Sequence, residues 1–318
     1  METVETVLGP VPLAELGPTL AHEHVFVLEP EALRNYGHAL GEPWWDEEAR
    51  VAAAVATLSA LRAAGVRTIV DATAIGLGRD VGRVRRVAEA VGLNVIVASG
   101  VYSFLELPRF LAYRSDEQLV ELFVRELREG IDDTGIRAAF LKCAVEAHGL
   151  AGDVPRILRL IAAAAVETGA PVMVHTNARQ RTGLLALEAL TEAGVDPRRI
   201  VVAHAGDSND LDYLRALADT GAWLGLDRFG WERFNPDEQR IETLLALLEA
   251  GYGDRLHLGH DAACFYDFMA ANPRFAPGEG QDYLLIPERI LPRLRDAGVT
   301  QEQIDELLVE TPRRFFAG

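Results

Sequence analysis

The chain has 318 residues, enough to bury a large core as one barrel-sized domain or as two ordinary ones. Hydrophobic residues at 49% and charged residues at 25%, with no low-complexity tract, exclude extended disorder. A formal charge of -17 argues against nucleic acid and anionic membrane surfaces, which need clustered Lys and Arg, and leaves a neutral small molecule as the easier partner.

The chain opens METVETVLGPVPLAEL, which has neither a basic n-region nor an apolar h-region, so a cytoplasmic location is expected, with a short strand or hairpin at this end. No stretch approaches the roughly 20 apolar residues of a membrane span. Short β-branched runs then alternate with amphipathic stretches. The runs are TLAHEHVF from Thr19, RTIVDAT from Arg67, LNVIVASG from Leu93, RAAFLKCAV from Arg137, PVMVHTN from Pro171, RIVVAHA from Arg199, AWLGLDR from Ala222 and LHLGHD from Leu256. The clearest helical stretches start at Asp46, Ser115, Asp153 and Asn235; the last three of these residues are read as N-caps and the terminal glycines as C-caps. Eight βα units predict a (β/α)8 barrel. The competing doubly wound open sheet is disfavoured because no Gly-rich phosphate fingerprint follows the first strand. No Pro/Gly/Ser linker divides the chain, so a single domain over residues 1–318 is expected, closed by a carboxy-terminal helical cover. Cys143, in the fourth strand, and Cys264, in a predicted loop, form no metal pattern and no disulfide framework, and both are expected to be reduced.

Active sites of such barrels lie at the carboxyl ends of the strands. Of the eight histidines, His22, His24, His175 and His204 fall near the ends of predicted strands one, five and six. His22 and His24, two apart in AHEHV, point to the same side of a strand and can bring two nitrogens to one ion; a hydrogen-bonded histidine pair is the alternative. Strand eight ends LHLGHD, which puts Asp261 in phase with His257 and out of phase with His260, so His260 is not read as a ligand. His38 and His148 fall in loops, where solvent exposure accounts for them.

Lys142 is the only lysine in the chain, and it stands inside the buried run AAFLKCAVEA. Burial lowers the pKa of an ammonium and makes the free amine accessible. A free amine adds to carbon dioxide to give a carbamate, an anionic carboxylate on a long stem that can bridge two divalent cations. A salt bridge from Lys142 to Asp261 or another acid is the alternative.

With HEH on strand one, FLKCA on strand four, MVHT on strand five, VAHAG on strand six and GHD on strand eight, the chain resembles the phosphotriesterase family of the amidohydrolase superfamily, and within it the phosphotriesterase-like lactonases. The likeness runs from TLAHEHVF to the closing ETPRRFFAG. It implies a binuclear site in which His22, His24 and Asp261 hold the more buried metal and His175 and His204 the more exposed one, bridged by carbamylated Lys142 and a hydroxide. Two divalent ions are implied, zinc first, with Co, Mn, Ni or Fe also suited to this donor set. Asp261 would take up the proton of the attacking hydroxide. Tyr102 in SGVYSFLELPRF and Arg228 in LGLDRFGWERF look like substrate-facing residues of the lactonase branch; packing at a loop base and pairing with a nearby acid are their alternatives. The long segment after Asp261, with Phe265, Tyr266, Phe268, Met269 and Phe275, is similar to the apolar loop that covers an acyl chain in that branch, and could instead dock a second subunit. The resemblance implies a homodimer and a lactonase acting on N-acyl homoserine or other alkyl lactones, with promiscuous organophosphate triesterase activity. A phosphotriesterase or aryl esterase, a non-catalytic metal-stabilised barrel or lactone-binding protein, and a mononuclear deaminase-like relative are the competing readings.

Overall fold

In the computed structural model, which describes residues 2–36, 45–267, 278 and 280–317, all eight predicted runs are strands. A hairpin of β1 (Thr3–Thr6) and β2 (Gly9–Pro12) precedes them. β3 (Thr19–Val27), β4 (Thr68–Asp71), β5 (Asn94–Gly100), β6 (Phe140–Val145), β7 (Val172–Thr176), β8 (Ile200–Ala203), β9 (Trp223–Leu226) and β10 (Leu256–Leu258) pair in parallel, each with the next in sequence. Helices Glu47–Ala63, Val81–Val91, Asp116–Arg128, Val154–Thr168, Thr182–Glu192, Leu211–Ala218 and Asp237–Glu249 follow β3 to β9 in turn and cover the outside. The fold is a (β/α)8 barrel. No described helix is long and apolar enough to cross a membrane.

Alternation along the strands divides the apolar residues into two layers. Val172 and Val174 face the helices with Leu141 and Cys143, whereas Met173 and Phe140 belong to a separate cluster inside the barrel with Val4, Val201, Trp223 and Phe315. This second cluster seals the base, where the hairpin and the last helix, Thr311–Ala317, meet. Lys142 follows Phe140 by two residues and His175 follows Met173 by two, so the same phase that fills the base with hydrocarbon carries polar groups toward the mouth. β5 and β6 approach so closely that a Cβ on Gly100 (φ +109°) would lie 2.2 Å from the Lys142 carbonyl oxygen, which requires glycine at that point.

A ninth strand, β11 (Ala263–Tyr266), lies parallel to β3. The stretch after Asp261, expected to be a loop, is therefore partly sheet, and Cys264 sits in a strand. Its sequence, ACFY, has two aromatic residues that favour strands, but a four-residue run is too short to be read as a strand without its pairing partner. Closure comes just before it, where Asp261 N–H donates to the His22 carbonyl (3.0 Å) and His24 N–H to the Ala262 carbonyl (2.7 Å). Phe265 is buried under the Arg50 guanidinium, 3.9 Å from its ring centre, and Tyr266 faces the mouth. Phe268, Met269, Phe275 and His38 lie outside the described residues, and His148 is exposed in a turn.

Ser115 caps its helix through a reciprocal capping box with Gln118, and Gly169, left-handed at φ 74°, ends the helix that starts at Val154. Asp153 stands at the N-cap of its helix without a side-chain capping bond, and Asn235 is not the cap of its helix. The Asp153 carboxylate instead accepts from the Leu107 N–H at 2.7 Å. Asn235 is buried and donates to the Gly206 carbonyl at 3.0 Å, while Pro236 precedes the helix. Both side chains tie loops together, a tertiary demand that local spacing does not announce.

His257 is sealed in the base, stacked on Trp223 with ring centres 5.3 Å apart and edge-on to Phe315. Neither ring nitrogen has a hydrogen-bond partner among the described residues. Desolvation lowers its pKa to about 4, opposed by the Thr311 backbone. The unfolded chain, with a histidine pKa near 6.5, then binds the extra proton first, so stability falls as pH drops from about 6.5 toward 4 and levels off below that. This one group accounts for an upper bound of about 3 kcal/mol. His257→Leu is expected to be at least as stable as wild type at neutral pH, because two orphaned polar atoms disappear. It should also lose about 2 kcal/mol less between pH 6.5 and 4.5 in denaturant titrations; an unchanged acid limb would contradict this.

Candidate metal centre

Six side chains converge at the carboxyl ends of the strands: His22 and His24 from β3, Lys142 from β6, His175 from β7, His204 just past β8 and Asp261 just past β10. All six are buried. His204 (φ 65°) and Asp261 (φ 52°) hold left-handed backbone conformations that non-glycine residues seldom adopt, and both turn the chain sharply as it leaves its strand.

The histidines are oriented from outside. Asp227, at the end of β9, accepts from Nδ1 of His22 (2.7 Å) through one oxygen and from Nδ1 of His204 (3.0 Å) through the other. His24 Nδ1 lies 2.8 Å from the Thr73 hydroxyl, which itself donates to Asp71 at 2.5 Å. His175 Nε2 faces Glu146 at 3.4 Å. In each case the other nitrogen points inward. Nε2 of His24 and of His22 lie 3.1 and 3.4 Å from Asp261 Oδ1, and Nδ1 of His175 lies 2.8 Å from Nε2 of His204. Outer partners that fix the tautomer and ring angle are the usual support of metal-ligating histidines.

His22, His24 and Asp261 place their donor atoms within 4.8 Å of one another, and so do His22, His204 and Asp227. The chemistry separates the two groups. Asp227 already takes up the outer nitrogens and does not line the hollow, whereas Asp261 faces the inner ones and does. A Cβ on residue 225 would lie 2.4 Å from Asp227 Oδ2, so Gly225 makes the room that Asp227 occupies. Inner nitrogens of neutral imidazoles with a carboxylate oxygen suit a divalent cation. Desolvation lowers the pKa of His22 to about 4, with Lys142 adding to it, and burial depresses His175 and His204 as well, so these rings are neutral and ligand-ready. Burial opposes charge on His24 too, but Asp261 and Asp71 raise it to about 9, so His24 is protonated at neutral pH and would release that proton to ligate a cation. Although burial disfavours a carboxylate, His22 and Arg228 hold Asp261 well below the usual range.

Lys142 Nζ stands 3.3 Å from His22 Nε2. Desolvation brings its pKa down to about 8 against the pull of Asp261 and Asp227.

Above these groups lies a hollow of about 170 Å³. Val27, Leu77, Trp231, Phe234 and Tyr266 form an apolar wall; Tyr102 and Arg228 stand at its polar edge. Arg228 donates to Asp261 Oδ2 and to Asp207 Oδ2, each at 2.9 Å, so it both faces the hollow and pairs with acids. The Tyr102 hydroxyl donates to Glu146 at 2.7 Å. His260 lies behind, donating to Glu23 (2.8 Å) and accepting from the Ile286 N–H (3.0 Å), away from the donor set. Five polar participants are absent from the sequence reading: Asp71, Thr73, Glu146, Asp207 and Asp227. Asp227 carried a usable signal, a carboxylate closing the apolar run WLGLD, comparable to the lysine in FLKCA.

Comparison with known proteins agrees with this geometry. Residues 2–316 match the model of the Phosphotriesterase family. A Mycobacterium tuberculosis protein named phosphotriesterase homology protein is 42% identical over 323 residues, covering 99% of this chain and 98% of that protein. The aryldialkylphosphatase of Saccharolobus solfataricus is 37% identical over 305 residues, covering 95% and 96%. The solved structure of the phosphotriesterase from Mycobacterium tuberculosis superposes with a TM-score of 0.92 at 43% identity, over 99% of this chain and 98% of that one. The chain belongs to the phosphotriesterase family and is a metal-dependent hydrolase of ester bonds.

Proposed function

We propose that the chain is a binuclear metal-dependent lactonase, acting on N-acyl homoserine lactones or other alkyl lactones, with secondary activity on organophosphate triesters. The observation that carries this reading is the asymmetry of the hollow among the described residues, in which one apolar cluster, Val27, Leu77, Trp231, Phe234 and Tyr266, lies beside a polar floor. A lactone sets its ring carbonyl on the floor and its single apolar substituent along the wall. A triester presents three substituents around phosphorus and needs three such surfaces.

His22, His24 and Asp261 would hold one cation and His175 with His204 the other. The second set is one donor short, and Lys142, its Nζ 3.3 Å from His22 Nε2 of the first set, would supply the missing donor as a carbamate. In that step the free amine attacks CO2, the N–C bond forms, a C=O π pair moves to oxygen and the nitrogen releases a proton to solvent. Cations bound here supply Lewis acidity and lower the pKa of water from about 15.7 to about 7. Zinc is the first expectation among the ions this donor set suits. Asp261 accepts the proton released in the attack, and Arg228, anchored on Asp207, keeps its carboxylate turned toward the floor. The Tyr102 hydroxyl, which donates to Glu146 here, would have to turn its one proton to the substrate carbonyl oxygen, and the apolar wall excludes water around the ester.

The test is kcat/KM of the fully metallated enzyme on γ- and δ-lactones bearing alkyl or N-acyl chains, beside diethyl aryl phosphates. The expected result is a preference for lactones of at least about tenfold, or about 1.4 kcal/mol of transition-state binding. Triesters outrunning lactones would replace this reading with that of a phosphotriesterase, the alternative that the name of the Saccharolobus solfataricus relative favours.

A further inference from the structure

We propose that Glu146 is a positioning residue: it fixes His175, and through it the affinity of the second cation subsite. This rests on the binuclear reading above.

The outer partners of the other three histidines, Asp227 and the Thr73–Asp71 pair, are buried inside the protein. The outer nitrogen of His175 is served differently. Its Nε2 lies 3.4 Å from Glu146 Oε2, and the Glu146 side chain is 34% exposed at the barrel mouth. The other Glu146 oxygen accepts the Tyr102 hydroxyl at 2.7 Å, and the Tyr102 ring stands edge-on to His175 with centres 5.2 Å apart. Glu146, Tyr102 and His175 therefore close a triangle. The chain builds it from one strand exit: Lys142 lies in β6 and Glu146 is the first residue past it, so β6 delivers the inner lysine and then the outer carboxylate at the mouth.

A carboxylate that accepts the Nε2 proton leaves Nδ1 unprotonated and aimed at His204 Nε2, 2.8 Å away, which is where the second cation would sit. Because this support is about one-third in solvent and the others are buried, the second subsite is the weaker of the two and the one that Glu146 governs.

The test titrates Zn²⁺ into metal-free wild type, Glu146→Gln, Glu146→Asp and Tyr102→Phe in competition with a chromophoric chelator, resolving tight and weak binding steps. Melting temperatures of the metal-free proteins are compared alongside. Loss of an outer partner weakens metal binding by roughly 10- to 100-fold, so Glu146→Gln is expected to lose that factor in the weaker step alone. Glu146→Asp should recover part of it, Tyr102→Phe should lose less, and the metal-free melting temperatures should agree. Wild-type affinity for both cations in Glu146→Gln, or equal weakening of both steps, would overturn the proposal. Uptake of a single cation by the wild type would overturn the binuclear reading itself, and this inference with it.

Discussion

Lys142→Ala is expected to lose the second cation and about 10³ in kcat/KM, with part of the activity returning on addition of a short carboxylic acid. The magnitude follows from losing one Lewis-acidic ion worth several kcal/mol at about 1.4 kcal/mol per decade. The rescue is the diagnostic part. A small carboxylate can enter the space left by the truncated side chain and offer the oxygens that a carbamate would supply, whereas it can do nothing for a lost ammonium. Truncation of a fully buried side chain also leaves a cavity, so Lys142→Met, which keeps the volume and lacks the amine, is the control. It should keep the fold, lose the metal and resist rescue. Full activity in Lys142→Met would reduce the lysine to a packing residue.

Asp261→Asn should lower kcat by about 10² to 10⁴, the range assigned to a positioned proton acceptor. Asparagine keeps an oxygen in place of Oδ1 and tolerates the left-handed backbone at this position, so the fold and much of the metal content should survive. It cannot take up a proton, and it removes one of the two carboxylates that Arg228 bonds among the described residues, leaving Asp207. The loss should therefore fall on kcat more than on KM. Near-normal kcat in the metallated variant would move the proton acceptor elsewhere in the site.

How much of this was legible in the amino-acid sequence follows from what each residue had to satisfy. Strands buried on both faces read as continuous apolar runs, and all eight stand where those runs are. A polar residue in such a run is costly enough to be conspicuous, which is why His22, His24, Lys142, His175 and Asp261 could be named in advance and why the structure brings them together. β11 was not legible because ACFY becomes a strand only when β3 is there to pair with it. Asn235 and Asp153 look like helix caps locally but are recruited to hold loops. Glu146 stands one residue past the end of β6, where the chain leaves the sheet and a carboxylate is usually solvated, so its residue type alone carried no signal. Its contacts with Tyr102 and His175 join β6, β7 and the loop after β5, and exist only once the barrel closes.

The central claim is a pair of cations bridged by a carbamate on Lys142. The most direct measurement combines metal analysis with ¹³C NMR of wild-type enzyme reconstituted in ¹³C-bicarbonate and assayed on the same sample. The account requires about two divalent ions per chain and a carbamate carbon in equal amount to the chain, both lost together on acidification, together with turnover. Full turnover from a sample that holds one cation or lacks the carbamate signal would contradict it.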